Sequence, residues 1–139
     1  MNYRVLIVAG ALGLLWPTAP VHADPCEASL PSQAGISFSG VVRYVGDGDG
    51  LCVGKTADPK EWIEVRLADF DARELHQPGG AAAKAALERI ALLSAVICTT
   101  ERGRGGRVIS YDRVIARCQI GTDSIGDLLR HAGVAEGGN

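Results

Sequence analysis

The 139-residue chain has the length of one compact domain, and 47% of its residues are hydrophobic, so it can bury a core of its own. Its net charge is −2, and removal of a leader containing Arg4 would leave 13 basic against 16 acidic residues, or −3. A negative chain is not expected to coat nucleic acid in general. Local charge can differ, because Arg102, Arg104 and Arg107 share a glycine-rich stretch.

Residues 1 to 23 have the pattern of an export signal. Arg4 supplies a positive start, Val5 to Trp16 form an apolar core, and Val21-His22-Ala23 is a small-residue cleavage site. The mature chain is then expected to begin at Asp24, in the periplasm or outside the cell. A retained membrane anchor is the alternative, although the apolar run is shorter than the ~20 residues that span a bilayer.

The chain contains four cysteines, which are Cys26, Cys52, Cys98 and Cys118. An even number of cysteines in an exported chain favours disulfides. The sequence has no Cys-x-x-Cys pair and no histidine at zinc-finger spacing, so a zinc site is not expected. Two disulfides are predicted.

The first half of the mature chain has the alternating pattern of strands. Apolar residues alternate from Ile36 onwards, and Gly40 is expected to mark a bulge in this first strand. Asp47-Gly48-Asp49-Gly50 is a hairpin turn signal. Leu51-Cys52-Val53 begins the return strand, and a third strand is predicted over Trp62–Leu67. These segments predict a three-stranded meander.

The second half begins with helical spacing. A helix is predicted over Gly79–Leu93, and its apolar side is expected to consist of Ala83, Leu87, Ile90 and Leu93. Two further strands are predicted at 96–98 and 114–118, separated by a loop over 101–110. A short closing helix is predicted at 125–132, with Thr122, Asp123 and Ser124 as candidate caps.

This order of elements predicts the fold class. Three strands, a helix, two strands and a short helix are what a five-stranded Greek-key barrel of the OB type requires. The expected fold is therefore α+β, with one amphipathic helix after the third strand and a short C-terminal helix. The barrel domain would span residues 35–135, between an irregular lead-in over 24–34 and a tail over 136–139.

Carboxylates and an arginine gather where two predicted turns meet the third strand. Asp49 and Asp71 each follow a strand, and on one edge of the barrel they could bind a hard cation such as Ca²⁺. Arg66 has a planar fork that matches phosphate, and Glu74 could take a proton from water. These residue types suit phosphodiester hydrolysis. The alternative is that the aspartates are ordinary turn residues and that Arg66 forms a surface ion pair.

Three short motifs occur in a fixed order along the chain. They are Asp47-Gly48-Asp49-Gly50, the segment from Arg66-Leu67 through Asp71 to Glu74, and Tyr111-Asp112-Arg113. Together they resemble the staphylococcal nuclease (thermonuclease) family, which has Asp-Gly-Asp-Thr, Arg-Leu-x-x-x-Asp-x-Pro-Glu and Tyr-Gly-Arg at these places. The resemblance covers about residues 35–135.

The resemblance implies a Ca²⁺-dependent nuclease that cuts DNA and RNA on the 5′ side of the phosphodiester and leaves 3′-phosphate ends. The residues expected to bind the ion are Asp49, Asp71 and, through its carbonyl, Ala72. The residues expected to act on the phosphate are Arg66 and Arg113, with Glu74 as general base and Tyr111 near the phosphate.

The chain departs from the family pattern at three positions. Gly50 stands where the family has threonine, Arg73 where it has proline, and Asp112 where it has glycine. These changes remove a hydroxyl near the metal carboxylates, make the loop that carries Asp71 less rigid, and put a negative charge beside Arg113.

The fold implied by the resemblance also suggests how the cysteines pair. If the strands at 96–98 and 114–118 are adjacent and antiparallel, Cys98 faces Cys118, which leaves Cys26 for Cys52. A bridge that closes a loop of about 20 residues is worth roughly 3 kcal/mol.

Two other function classes remain open. A noncatalytic OB-type module could bind single-stranded nucleic acid or a protein partner, and a purely structural exported domain is the third alternative. Aromatic residues make up only 5% of the chain and the net charge is negative, which is unfavourable for stacking on bases. The nuclease is therefore the leading hypothesis, with DNA, RNA or both as its substrate.

Overall fold

The structure is a computed structural model that describes residues 24–137. In chain order its strands are β1 (Ser37–Val45), β2 (Gly50–Gly54), β3 (Ile63–Leu67), β4 (Ala95–Thr100), β5 (Ile109–Ser110), β6 (Arg113–Ile120) and β7 (Asp123–Ser124). Its helices are α1 (Gly80–Ala91) and α2 (Ile125–His131), and a 3₁₀ turn over Pro59–Glu61 precedes β3. The expected export signal at 1–23 and residues 138–139 of the expected tail lie outside the described residues.

Five of the strands form a closed barrel. Neighbouring strands pair antiparallel in the order β3, β2, β1, β4 and β6, and a parallel pairing between β3 and β6 closes the ring. The two-residue strands β5 and β7 each pair with β6. The predicted fold class is confirmed, with one helix after β3 and a short helix after the barrel.

The core fills the barrel and continues under the helices. Val65 and Leu67 of β3 point inward, and Phe70 just beyond the strand is 2% exposed. Helix α1 buries alanines as well as Leu87 on the side facing the barrel, which allows its backbone to come close. Each fully buried leucine or phenylalanine contributes about 1.5–3 kcal/mol to stability.

The predicted inward position of Leu93 is wrong. Helix α1 ends at Ala91, Leu92 is already extended, and Leu93 has a φ of 64° with its side chain 71% exposed. The reason is that β1 competes for the backbone, because the Leu93 N–H donates to the Val42 carbonyl. The chain therefore leaves the helix early to enter β4.

The bulge expected near Gly40 lies further along β1. Val42 pairs with Val53 and Tyr44 pairs with Cys52, so Arg43 is the extra residue. Gly40 has a different role, since a Cβ there would lie 2.9 Å from the carbonyl carbon of Gly54 on β2. Such a close approach of two backbones requires glycine.

Both predicted disulfides are formed. Cys98 and Cys118 are directly opposite each other on β4 and β6. The Cys26–Cys52 bridge ties the lead-in to β2, and main-chain hydrogen bonds from residues 27 and 28 to Pro59 and Trp62 extend this attachment. Disulfides of this kind are consistent with an oxidising compartment.

The predicted closing helix is confirmed with a defined cap. Of the three candidate caps, Ser124 is the one used, because its side-chain oxygen accepts a hydrogen bond from the Asp127 N–H. Within residues 24–137, no helix has the length and hydrophobicity needed to cross a bilayer.

Candidate functional site

The turn between β1 and β2 places Asp49 at one end of the barrel. The Asp49 N–H donates to Oδ1 of Asp47 at 3.1 Å, which fixes the turn locally. A Cβ at Gly48 would lie 2.6 Å from the Cβ of Ala72 and 2.7 Å from that of Ala83. The turn is therefore pressed between α1 and the loop after β3, where only glycine fits.

Arg66 organises the loop that follows β3. Its Nη1 donates to the carbonyl oxygens of Leu67 at 2.6 Å and Phe70 at 2.7 Å. Its Nη2 donates to Oδ1 of Asp71 at 2.6 Å and lies 3.3 Å from Oδ2 of Asp49. The predicted trio of Arg66, Asp49 and Asp71 is thus brought into direct contact by one guanidinium.

Asp49 is a buried carboxylate whose ordinary ionisation is opposed by its surroundings. Its side chain is 8% exposed, and its Oδ2 accepts a hydrogen bond of 2.8 Å from the Ala72 N–H. The pKa of Asp49 is raised to about 7, chiefly by burial and to a smaller extent by the nearby Asp47 carboxyl, while Arg66 and the hydrogen bond from Ala72 act in the opposite direction. The Asp49 carboxyl therefore stays protonated at pH values where an exposed aspartate would be ionised.

Arg113 enters the site from the start of β6. Its Nη1 lies 3.7 Å from Oδ2 of Asp47 and 3.8 Å from Oδ1 of Asp49. Ser110 pairs with Arg113, so Tyr111 and Asp112 form a two-residue hairpin loop, and both have positive φ values of 50° and 63°. A tight turn of this type sets the direction of β6 and leaves Tyr111 90% exposed at its tip.

Gly50, at the position where the resembled family has threonine, has a local explanation. A Cβ at Gly50 would lie 2.8 Å from Oδ1 of Asp47 and 3.2 Å from Nη1 of Arg113. The space for a side chain at this position is thus taken by an ion pair of two other residues.

Two predicted site residues are less closely engaged. Within residues 24–137 the Glu74 carboxylate makes no hydrogen bond or ion pair; Glu74 is exposed, and its N–H donates to Oε1 of Gln77 at 3.0 Å. Ala72 reaches Asp49 through its amide, whereas its carbonyl oxygen lies beside Gly137. The expected roles of Glu74 as base and of the Ala72 carbonyl as ligand stay predictions.

Sequence reasoning did not select Asp47 or Glu64 as site residues. Asp47 contacts Arg113, and its signal was its place in the hairpin motif. The pKa of Glu64 is raised to about 7, chiefly by burial and then by the neighbouring Asp24 carboxyl, while Arg113 lowers it. The available signal for Glu64 was its alternation with Arg66 on the polar face of β3.

A cavity of about 440 Å³ adjoins Arg66. Asp71 and Arg104 are among its lining residues, and Arg130 and Glu136 border it from the C-terminal side. One arginine of the glycine-rich loop, Arg104, therefore lines the same cavity as Arg66 and Asp71. Arg130 and Glu136 had no local motif that could have marked them.

The donor set can be compared with the needs of a metal ion. Among residues 24–137, no three histidine, cysteine, aspartate or glutamate side chains converge on one point. Asp49 and Asp71 nevertheless offer two hard oxygen donors that contact one guanidinium nitrogen. The carboxylates fit a hard cation that completes its shell with water and main-chain oxygens. Nitrogen and sulfur donors for zinc are not part of this cluster.

In comparisons with known proteins, no family model matches this sequence and no curated protein matches it. The likeness to the thermonuclease motifs therefore remains a resemblance carried by the residues themselves. What supports a function is the geometry around Arg66 and Asp49.

Proposed function

We propose that this protein is an exported, Ca²⁺-dependent phosphodiesterase that cleaves DNA or RNA. The observation that carries the proposal is the arrangement of two arginines on opposite oxygens of one buried carboxylate. Arg66 lies at Oδ2 of Asp49 and Arg113 at Oδ1, and Asp71 adds a second carboxylate to Arg66. Cation-binding and anion-binding groups are thereby interleaved, as hydrolysis of a phosphodiester requires.

The carboxylates would hold the ion. Asp49 and Asp71 are the residues that would bind Ca²⁺, with the Ala72 carbonyl as the third ligand that the resemblance implies. A bound Ca²⁺ would supply positive charge to neutralise a phosphate. Because burial disfavours the ionised form of Asp49 even with Arg66 and Arg113 beside it, a bound divalent cation would stabilise that form further.

The arginines would hold the phosphate. Arg113 lies 3.7 Å and 3.8 Å from its two aspartates, distances too long for good hydrogen bonds, so its donors are available to an anion. Arg66 is 21% exposed at its side chain and could exchange Asp71 for a phosphate oxygen at Nη2. Donors placed in this way would stabilise the charge that develops on the equatorial oxygens.

Glu74 would accept the proton of the attacking water. Its carboxylate makes no hydrogen bond or ion pair within residues 24–137 and is exposed on the loop that carries Asp71, so it could approach a bound substrate. The two disulfides support an oxidising location for the protein, as the expected export signal implies.

The test uses mature protein beginning at Asp24, with single-stranded DNA and RNA, in calcium or in excess chelator. Cleavage should require calcium, and Glu74→Gln should lower the rate by about 100-fold or more. Glu88→Gln is the matched control, because Glu88 is a carboxylate of α1 outside the site, and it should cleave normally. Absence of calcium-dependent cleavage, or full activity of Glu74→Gln, would refute the proposal.

A second candidate is a noncatalytic module that binds single strands. It is favoured by the position of Tyr111, which is 90% exposed at a hairpin tip beside Arg113. Base stacking on Tyr111 would contribute about 1–3 kcal/mol. Binding that is weakened by Tyr111→Ala, in a protein that cleaves nothing, would support this candidate over the enzyme.

A further inference from the structure

The C-terminal tail turns back sharply at Gly133. The Gly133 N–H donates to the Arg130 carbonyl at 3.0 Å, and the Val134 N–H donates to the Leu129 carbonyl at 3.1 Å. This is the Schellman pattern that ends a helix, and the φ of +80° at Gly133 suits glycine. Val134 packs against the core, which anchors the turn. The following residues are thereby directed along the loop after β3.

The tail binds both main-chain groups of Asp71. The Asp71 N–H donates to Oε1 of Glu136 in a long hydrogen bond of 3.4 Å, and the Gly137 N–H donates to the Asp71 carbonyl at 2.5 Å. A Cβ at Gly137 would lie 2.9 Å from the Ala72 carbonyl oxygen, so the backbones are in close contact. Two consecutive tail residues thus enclose the backbone of one site residue.

Arg130, a residue of α2, holds the C-terminal tail through Glu136. Its Nη2 lies 3.1 Å from Oε1 of Glu136, and its Nε donates to Oε2 at 3.4 Å. The same guanidinium donates to the Asp69 carbonyl and lies over the Phe70 ring, 5.6 Å from its centroid. Arg130 and Glu136 therefore contact residues 69–71 from the C-terminal end of the chain.

We infer that Glu136 and Gly137 are positioning residues that hold Asp71 against Arg66 and so set the affinity of the site for a divalent cation. The hydrogen bonds found for the Asp71 backbone within residues 24–137 are those to the tail. Without these hydrogen bonds Asp71 would be held mainly through its side chain. Binding of a cation would then have to order the Asp71 backbone as well, and the entropy cost of that ordering would lower the affinity. The effect on affinity rests on the proposed function, whereas the effect on the loop does not.

The test compares Glu136→Ala, Glu136→Gln and Asp127→Ala with the parent protein. Glu136→Gln keeps an oxygen that can accept from the Asp71 N–H. Asp127→Ala is the matched control, because it removes the other carboxylate of Arg130, at 3.0 Å, without touching Asp71. Amide hydrogen exchange measured by NMR in metal-free protein reports on Asp71, and exchange at Val65 in the barrel reports on global stability.

In Glu136→Ala, exchange at the Asp71 amide should become about 3- to 10-fold faster, the effect of losing one hydrogen bond, while exchange at Val65 is unchanged. Glu136→Gln should restore most of the protection, and Asp127→Ala should match the parent. Calcium alone, titrated by calorimetry, should bind Glu136→Ala more weakly by a similar factor. Parent-like exchange at Asp71 in Glu136→Ala overturns the inference. If the parent binds no calcium, the proposed function fails while the exchange measurement still decides the role of the tail.

Discussion

Asp49 and Asp71 are held by the same nitrogen atom. Nη2 of Arg66 lies 3.3 Å from Oδ2 of Asp49 and 2.6 Å from Oδ1 of Asp71, although the two aspartates belong to different turns. Their separation therefore depends on one guanidinium, and any change to Arg66 alters both carboxylates together.

Arg66→Lys should impair both stability and cleavage. The planar guanidinium donates to two carbonyls of the following loop as well as to Asp71. The ammonium group of lysine cannot make these three hydrogen bonds in the same geometry. We expect a loss of about 1–3 kcal/mol in the free energy of unfolding and about a 100-fold loss of cleavage. Denaturant unfolding and a rate assay measure these effects. Arg89→Lys, at an exposed position of α1, should change neither, and equal behaviour of the two variants would contradict the assignment.

Two neighbouring glycines should respond differently to alanine. At Gly48 the new Cβ would meet the Cβ atoms of Ala72 and Ala83 within 2.7 Å, and neither can move without the backbone. We expect Gly48→Ala to destabilise the protein by about 1–3 kcal/mol. At Gly50 the nearest atoms are the ends of the Asp47 and Arg113 side chains, which can shift, so the loss of stability should be smaller.

Gly105→Ala provides the reference for this pair, because no atom lies within 4 Å of a Cβ at Gly105. Thermal or urea unfolding of the three variants should rank Gly48→Ala as the least stable and Gly105→Ala as close to the parent. Gly50→Ala should also lower cleavage, since it displaces Arg113. A parent-like Gly48→Ala would show that the turn is not packed as described.

The metal-free protein should become less stable as the pH rises from about 4 to about 7. The pKa of Asp49 is raised from 3.8 to about 7 by burial, so in this range the folded state binds more protons than the unfolded state, and the free energy of unfolding falls with pH. Asp49 alone accounts for at most about 4 kcal/mol. Glu64, with its pKa raised to about 7, acts with the same sign. Above about pH 7 the dependence should level off.

Urea unfolding in chelator, at about pH 5 and about pH 8, measures this dependence. Asp49→Asn should make the two stabilities more alike, because the amide does not titrate. Calcium should stabilise the parent more at the higher pH, since it binds the ionised carboxylates. Stability that rises between about pH 4 and about pH 7 would contradict the assigned burial of Asp49.

The two disulfides should contribute to different parts of the fold. Replacing Cys98 and Cys118 together by alanine should cost about 3 kcal/mol of unfolding free energy, because their bridge closes a segment of 20 residues within the barrel. Replacing Cys26 and Cys52 should release residues 24–30 from β2 and leave the β4–β6 pairing intact. Hydrogen exchange can separate the outcomes, and loss of protection throughout the barrel in the second variant would contradict this division.

The sequence by itself determined the order and type of the main strands and helices. It also determined which site residues lie next to strand ends. Alternation, helical spacing and turn residues are properties of short segments, so they predicted the barrel strands, a cap among residues 122–124 and the placement of Asp49, Arg66 and Asp71 near strand ends. Where a distant strand competed for the backbone, local spacing failed. Leu93 is the example, since its N–H is taken by Val42 of β1.

Tertiary structure alone decided which of these residues touch and how strongly they are perturbed. The parallel pairing of β3 with β6 brings Arg113 to Asp49, and the packing of Gly48 against α1 buries that carboxylate. Glu136 reaches the backbone of Asp71 across 65 residues of sequence. Such contacts depend on chain closure and on desolvation, which arise only when distant segments pack together, and no local motif records them.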